Sequence, residues 1–520
     1  MIARVAVALL ALLALLATAC AAPVTGVAPT EPAADAGEAR VAAWFEAHRA
    51  RPPMVRAFLQ RMPKGGDLHV HLSGAVYAES LIAWGIEAKM CLDAATLTIT
   101  PAPCDPREGR PPLADAVREP GRYGVLVDAL STRNLPQGST AGHDRFFTAF
   151  GRFGNVTGDR SVDMIADLAT GAADQHIDYL EMMLTFRGRE VRSLGARVGF
   201  DGDLAGTRRR LLDGGLGPLV ADGGAEVSRM EQAVIGRLGC APAPGAAPPP
   251  ACRVVRRYLQ QTSRTADPGV VFAQLVYAFE LARADRRVVG INLVAPEDDP
   301  VARRDYRLHM RMVGWLVETY PGVNVALHAG ELTLGLVPPA DLAFHIRSAV
   351  EVGRAKRIGH GVSIAYERDA LQLMELMRAR DVLVEICLTS NDLILGVAGP
   401  WHPFADYWHR GVPLALASDD PGVARGDLTA EYVRAAIEHG LGYTDLKRLA
   451  RNSLRHSFLA GAELWQDREA LVPVAPCAGL RPGTTATAPC QGFLDGSDKA
   501  RAQWALEAAF IEFESLPSFR

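Results

Sequence analysis

The sequence predicts an α/β fold, a TIM (β/α)8 barrel with two insertions and a C-terminal extension. Three observations carry this. Eight short apolar runs recur along the chain. Longer stretches with helical spacing of apolar residues separate them, the pattern of parallel strands joined by crossover helices. Four groups of histidine and carboxylate residues fall at the ends of such runs, the end at which a closed barrel keeps its chemistry. A doubly wound open sheet is the alternative arrangement of the same units.

The strand candidates, in order, are Asp67–Leu72, Ile177–Leu184, Val254–Gln260, Val288–Val294, Val323–His328, Arg357–His360, Val382–Leu388 and Pro413–Ala417. Helical patterns between them include Val271–Ala284, Tyr306–Tyr320, Leu342–Val352 and Asp369–Arg380. One insertion is expected at about residues 84–140, after the first strand. The second is expected at 187–252 and carries a Pro/Ala-rich run at 241–250. The barrel with its insertions is placed at 40–465. Residues 466–520 read as an appended tail ending in a helix over Asp498–Glu514.

With 520 residues and 49% hydrophobic composition, the chain can bury a large core. Its formal net charge of -4, with no long basic run, argues against nucleic acid as a partner. At the N-terminus Arg4 precedes an apolar run too short to span a membrane comfortably, and Ala17-Thr18-Ala19-Cys20 follows. Residues 1–20 resemble a bacterial lipoprotein signal, which implies lipid attachment at Cys20 and export to the periplasm or cell envelope. Ala17 stands where Leu or Val is usual, so plain secretory cleavage is the alternative. Residues 21–39 read as a flexible linker. Six cysteines fall into three near-neighbour pairs, Cys91 with Cys104, Cys240 with Cys252 and Cys477 with Cys490, which suit disulfides in an oxidising compartment. Six cysteines allow 15 connectivities, so this pairing is one choice among them. Cys387, inside an apolar run, reads as a small buried hydrophobe.

The first chemical group is His69-Val70-His71. Residues two apart share one face of a strand, with Cα atoms about 6.6 Å apart, so both imidazoles can reach one metal. One core and one surface histidine is the plain alternative. The second group is His328-Ala329-Gly330-Glu331, where a strand delivers a histidine and a turn delivers a carboxylate. Glu331 also suits a helix start. In the third, His360 stands between Gly359 and Gly361, which permits close approach of backbone or ligand. The fourth is Asp419-Asp420-Pro421. Adjacent carboxylates at a strand end are costly unless a cation or strong donors share them. Each group alone is ambiguous. Their joint placement at the ends of the first, fifth, sixth and eighth strand candidates is what points to a metal-assisted site.

The strings MPKGGDLHVHLSGA, ALHAGE, RIGHG, EICLTSN and ASDDP, in this order between Arg61 and His456, resemble the adenosine deaminase family of the amidohydrolase superfamily. The opening string, the export signal and the long second insertion look most like its secreted, growth-factor-related branch. The resemblance implies one Zn2+ held by His69, His71, His328 and Asp419, with water in the open position. It implies Glu331 as the proton shuttle to purine N1, His360 as the group orienting the attacking oxygen, and Asp420 as the partner of N7. The implied reaction converts adenosine or 2′-deoxyadenosine to inosine or 2′-deoxyinosine and ammonia.

Three positions depart from the family pattern. Ser73 stands where an Asp that contacts the sugar is common. Asn292 replaces the Asp, and Ala295 the Gly, of a motif usually reading Asp-Leu-x-Gly-x-Glu and here Asn292-Leu293-Val294-Ala295-Pro296-Glu297. Ala295 keeps the N–H expected to meet purine N3 but adds a methyl group. These changes bear on substrate. Deamination of another aminopurine or modified nucleoside, and nucleoside binding with little turnover, therefore stand as alternatives. The partner expected is a small purine nucleoside, with membrane contact only through a lipid on Cys20.

Overall fold

The computed structural model describes residues 36–135, 141–241 and 245–519. The expected signal and Cys20 lie outside them, as does the expected linker up to residue 35. The linker's last residues, 36–39, belong instead to a helix, Ala36–His48, which buries Val41 and Phe45.

Eight parallel strands form one sheet in sequential order. They are β1 (Gly65–His71), β2 (Ile177–Leu184), β3 (Val255–Ser263), β4 (Val288–Val294), β5 (Asn324–Ala329), β6 (Arg357–His360), β7 (Leu383–Ile386) and β8 (Leu414–Leu416). Each coincides with a predicted strand to within a few residues. Their apolar runs are buried on both faces, as a parallel sheet covered by helices requires. The sheet closes on itself just past β8. There the Asp419 N–H donates to the His69 carbonyl and the His71 N–H to the Asp419 carbonyl, both at 2.9 Å. Closure selects the barrel over the open sheet.

The helix Pro268–Ala284 shows why the outer layer forms. Proline at its first turn pre-sets the backbone. Its residues from Val271 to Phe279 are all buried, because the helix lies between the barrel and the helices Gly188–Val198 and Gly217–Leu238 of the second insertion. An apolar girdle all round is what such a position demands. The first insertion contains a two-stranded hairpin, Cys91–Asp93 with Thr98–Thr100, and two short helices, Leu113–Ala116 and Pro120–Ala129. The three predicted disulfides are present, and Cys387 is a buried free thiol.

The tail is packed against the body. Its helix spans Asp498–Glu514. Phe513 and Phe519 join Trp44 and Phe58 in one aromatic cluster, and Glu514 accepts a hydrogen bond from Lys447 at 2.6 Å. The N-terminal helices and the tail thus form one layer over the barrel.

Candidate active site

β1 carries one residue more than β2 between Asp67 and Val70, a bulge adjoining His69. The His69 ring lies over Gly359, where a Cβ would stand 2.6 Å from its Cε1. Gly359 therefore makes room for the first imidazole, the close approach expected beside His360. His69 Nδ1–H donates to Glu385 Oε2 at 2.7 Å, and its Nε2 lies 3.3 Å from Asp419 Oδ1. His71 Nε2 is 3.1 Å from His328 Nε2 and 3.5 Å from Asp419 Oδ1.

The donor atoms of His69, His328, His360 and Asp419 all lie within 4.8 Å of one another, and so do those of His71, Asp419 and Asp420. Thus the four groups from four strand ends meet at one place. Four buried atoms of this set have no hydrogen-bond partner: His69 Nε2, Glu331 Oε1, His360 Nε2 and Asp420 Oδ1. Leaving such atoms unpaired is costly, and a cation together with a polar ligand would satisfy them.

Hydrogen bonds on the far sides of the rings separate two kinds of histidine. His69 faces the Glu385 carboxylate. His328 Nδ1 faces Asn292 Oδ1 at 2.8 Å, and that oxygen also accepts the His328 backbone N–H at 3.3 Å. His71 Nδ1 faces Gln261 Oε1 at 3.4 Å. All three partners are acceptors, so each Nδ1 carries a proton and each Nε2 is the atom left to offer a lone pair to a cation. His360 is the reverse. The Phe404 N–H donates to His402 Nδ1 at 3.1 Å, which puts the His402 proton on Nε2. His402 Nε2–H donates to Asn391 Oδ1 at 3.1 Å, and Asn391 Nδ2 donates to His360 Nδ1 at 3.0 Å. Burial holds His402 and His360 neutral, at about 3 and about 4. The His360 proton is therefore on Nε2, directed at the site.

Glu331 is positioned by Glu297, which accepts the N–H of Gly330 at 3.1 Å and of Glu331 at 2.9 Å. Burial, then the charges of Asp419 and Glu297, push the Glu331 carboxyl well above its usual range. Burial and Asp419 do the same to Asp420. For His69 burial works against the charge, yet the hydrogen bonds to Asp419 and Glu385 prevail and raise it to about 10, so without a metal its Nε2 holds a second proton that a cation would displace. The pocket between Asp419 and Glu385 thus favours positive charge.

Backbone strain gathers here. Ala295, His360 and Asp419 have φ of 82°, 68° and 61°, a region side chains other than glycine rarely adopt. The Ala295 carbonyl accepts from Arg264 Nε at 2.8 Å, and Arg264 Nη1 donates to the His328 carbonyl at 3.2 Å. Ser73 lies in the turn after β1. Its neighbour Gly74 packs so closely on Asp420 that a Cβ would fall 1.6 Å from Oδ1.

Sequence reasoning assigned no role to Glu385, Asn391, His402, Gln261 or Arg264. Glu385 and Asn391 sit inside the EICLTSN string, which was their one available signal.

A family model for adenosine deaminase matches residues 248–466, the stretch that includes β5 to β8 with His328, Glu331, His360, Asp419 and Asp420. Adenosine deaminase 2 of Dictyostelium discoideum is 26% identical over 424 residues, covering 77% of this chain and 69% of that protein. Over these stretches the chain is similar to the adenosine deaminase family. Adenosine deaminase of Plasmodium gallinaceum is 30% identical over 158 residues, covering 30% of this chain and 41% of that one. That match spans about two fifths of the relative's length. Among solved structures, arabidopsis ADAL complexed with GMP overlays with a TM-score of 0.49 at 19% identity, covering 77% of this chain and 94% of that chain.

Proposed function

We propose that this protein is a zinc-dependent hydrolytic deaminase of adenosine and 2′-deoxyadenosine, of the adenosine deaminase family. The observation that carries the reading is the division of the histidines. His69, His71 and His328 each bond outward through Nδ1 and leave Nε2 for the site, whereas His360 presents an N–H. Three lone-pair imidazoles and a carboxylate match a catalytic zinc site, and the N–H of His360 excludes it from that set. The four ligands are then His69, His71, His328 and Asp419.

Zinc held there supplies a Lewis acid that brings the pKa of water to about 7. The remaining steps belong to the chain. Glu331, whose Oε1 makes no hydrogen bond but lies 3.5 Å from His360 Nδ1 and whose backbone is fixed by Glu297, gives a proton to purine N1 as oxygen adds to C6. The His360 Nε2–H donates to that oxygen and orients it. Asp420 Oδ1, buried and unpaired, faces N7, and a proton is shared between the two. The C6–N bond then breaks. Of the two protons of water, one ends on N1 and one on the departing nitrogen, giving ammonia.

Three tests apply. Elemental analysis of protein purified without chelator should find about one zinc per chain. Turnover of adenosine, 2′-deoxyadenosine, adenine and AMP should favour the two nucleosides, and a strong preference for another aminopurine would transfer the reading to that substrate. Glu331→Gln should keep the metal and lose about 10²–10⁴-fold in rate. Ser73, Asn292 and Ala295 favour a second reading, a modified purine nucleoside as substrate, because each departs from the family at a position tied to the sugar, the base or His328. The three disulfides support the further proposal that the protein is exported and lipid-anchored at Cys20. Mass spectrometry of the mature N-terminus decides between that and plain cleavage.

A further inference from the structure

At the opposite end of the barrel from the histidines, a cavity of about 450 Å3 opens beside the starts of β5, β6 and β7, marked by Asn324, Arg357 and Val382. That is the size of a small-molecule site. Six Lys or Arg side chains line it against one carboxylate, Asp381.

Three of the cations are already neutralised. Arg354 pairs with Glu318, Arg357 with Glu181 and Glu385 at 2.6 Å each, and Arg455 with Asp381 at 2.7 Å. Asp381 is also shared with Arg468 at 3.2 Å. The other three, Lys356, Arg380 and Lys499, have no ion-pair partner among the described residues. Their contacts are neutral. Lys356 Nζ donates to Asn324 Oδ1 at 2.7 Å, Arg380 Nη1 to the Val350 carbonyl at 3.4 Å and Lys499 Nζ to the Arg455 carbonyl at 2.7 Å. On the same wall the buried Nε2 of His456 has no hydrogen-bond partner, and Asp381 is 3.7 Å from it. Burial lowers both lysines. For Lys499, Glu463 and Glu181 oppose the shift while Arg357 and Lys356 add to it.

We infer that this cavity binds a small multivalent oxyanion, inorganic phosphate or a phosphate monoester. Three unneutralised cations around one concavity match its charge. Arg380 offers a planar fork for two oxygens, and the lysines offer point charges. The cavity exceeds the volume of a phosphate group, which leaves room for an organic remainder. The tail takes part, because Lys499 comes from its helix. Lys356, Arg380 and Lys499 take no part in the deaminase reading; Arg357, on the same wall, is linked to His69 through Glu385.

The test is calorimetric titration of the full chain with inorganic phosphate and, separately, with ribose 5-phosphate. Saturable binding of either supports the site. Equal affinities identify free phosphate as the ligand, and tighter binding of the sugar phosphate identifies a phosphorylated small molecule. The triple variant Lys356→Gln, Arg380→Gln, Lys499→Gln should weaken binding by about tenfold or more, with metal content and circular dichroism unchanged. Should the triple variant not fold, Arg380→Gln alone and the salt dependence of the wild type carry the test, since added sodium chloride should weaken an attraction between charges. No saturation at millimolar concentrations of either anion overturns the inference. So does binding that is untouched by the substitutions or by salt.

Discussion

Asp419 joins His69 twice: its N–H donates to the His69 carbonyl at 2.9 Å, and its carboxylate stands 3.3 Å from His69 Nε2. The residue that closes the barrel is therefore also a member of the candidate metal set. Its φ of 61° turns the side chain inward at the cost of a strained backbone.

Closure and ligation should be separable. Asp419→Asn keeps the backbone bonds but removes the anionic ligand. We expect the variant to fold with the far-ultraviolet spectrum of the wild type and to lose bound metal, and turnover with it. A variant that retains stoichiometric metal would remove Asp419 from the ligand set.

A layer behind the metal set makes the second prediction. Arg357 Nε pairs with Glu385 Oε1 at 2.6 Å, and Glu385 Oε2 accepts from His69 Nδ1 at 2.7 Å. Burial alone would raise the Glu385 carboxyl, but the charge of Arg357 and the bond from His69 hold it low. Glu385→Gln keeps the shape and loses the charge. Metal affinity should fall by about 10–100-fold, the usual worth of an outer partner of a ligand histidine. Competition with a chelator measures it, and an unchanged affinity sinks the proposed role.

The third prediction concerns His360. Its tautomer is set by a chain of bonds that begins at the Phe404 N–H and passes through His402 and Asn391. Asn391→Asp offers His360 an acceptor in place of a donor, so the ring proton should move to Nδ1 and leave Nε2 unable to donate. We expect kcat to fall by about 10²-fold or more with KM and metal content nearly unchanged. Nitrogen NMR of labelled histidine should show the tautomer switch. Loss of rate without that switch would assign Asn391 to packing alone.

The barrel was legible in the sequence because most strands carry an apolar stretch bounded by turns, even where polar residues interrupt it, as Arg256, Arg257 and Gln260 do in β3. The gathering of the candidate metal residues was legible because groups that are each ambiguous alone all fall at strand ends, which a barrel brings together. The layer behind it was not. Glu385 and Asn391 act on rings 316 and 31 residues away in sequence, and neither spacing nor period encodes such pairings. The cations of the far cavity were hidden likewise, since Lys356, Arg380 and Lys499 are ordinary surface residues until the barrel and tail bring them together. The linker was carried too far, to residue 39, because an Ala/Pro-rich approach masked a helix start whose support is tertiary: Phe45 packs on Phe58.

Ala295 gives the last prediction. Its φ of 82° costs a non-glycine residue about 1–2 kcal/mol, and the bond from Arg264 to its carbonyl holds it there. Ala295→Gly relieves the strain, while the looser unfolded chain takes back about 0.4–1 kcal/mol. Urea unfolding should therefore show a net gain of roughly 0–1.6 kcal/mol. The substitution also removes the methyl group beside the N–H expected to meet purine N3. If that group crowds an unmodified base, KM for adenosine should fall while kcat holds. A rise in KM would instead mean that the methyl group packs against the natural substrate, and would move the substrate assignment to a base shaped to accept it.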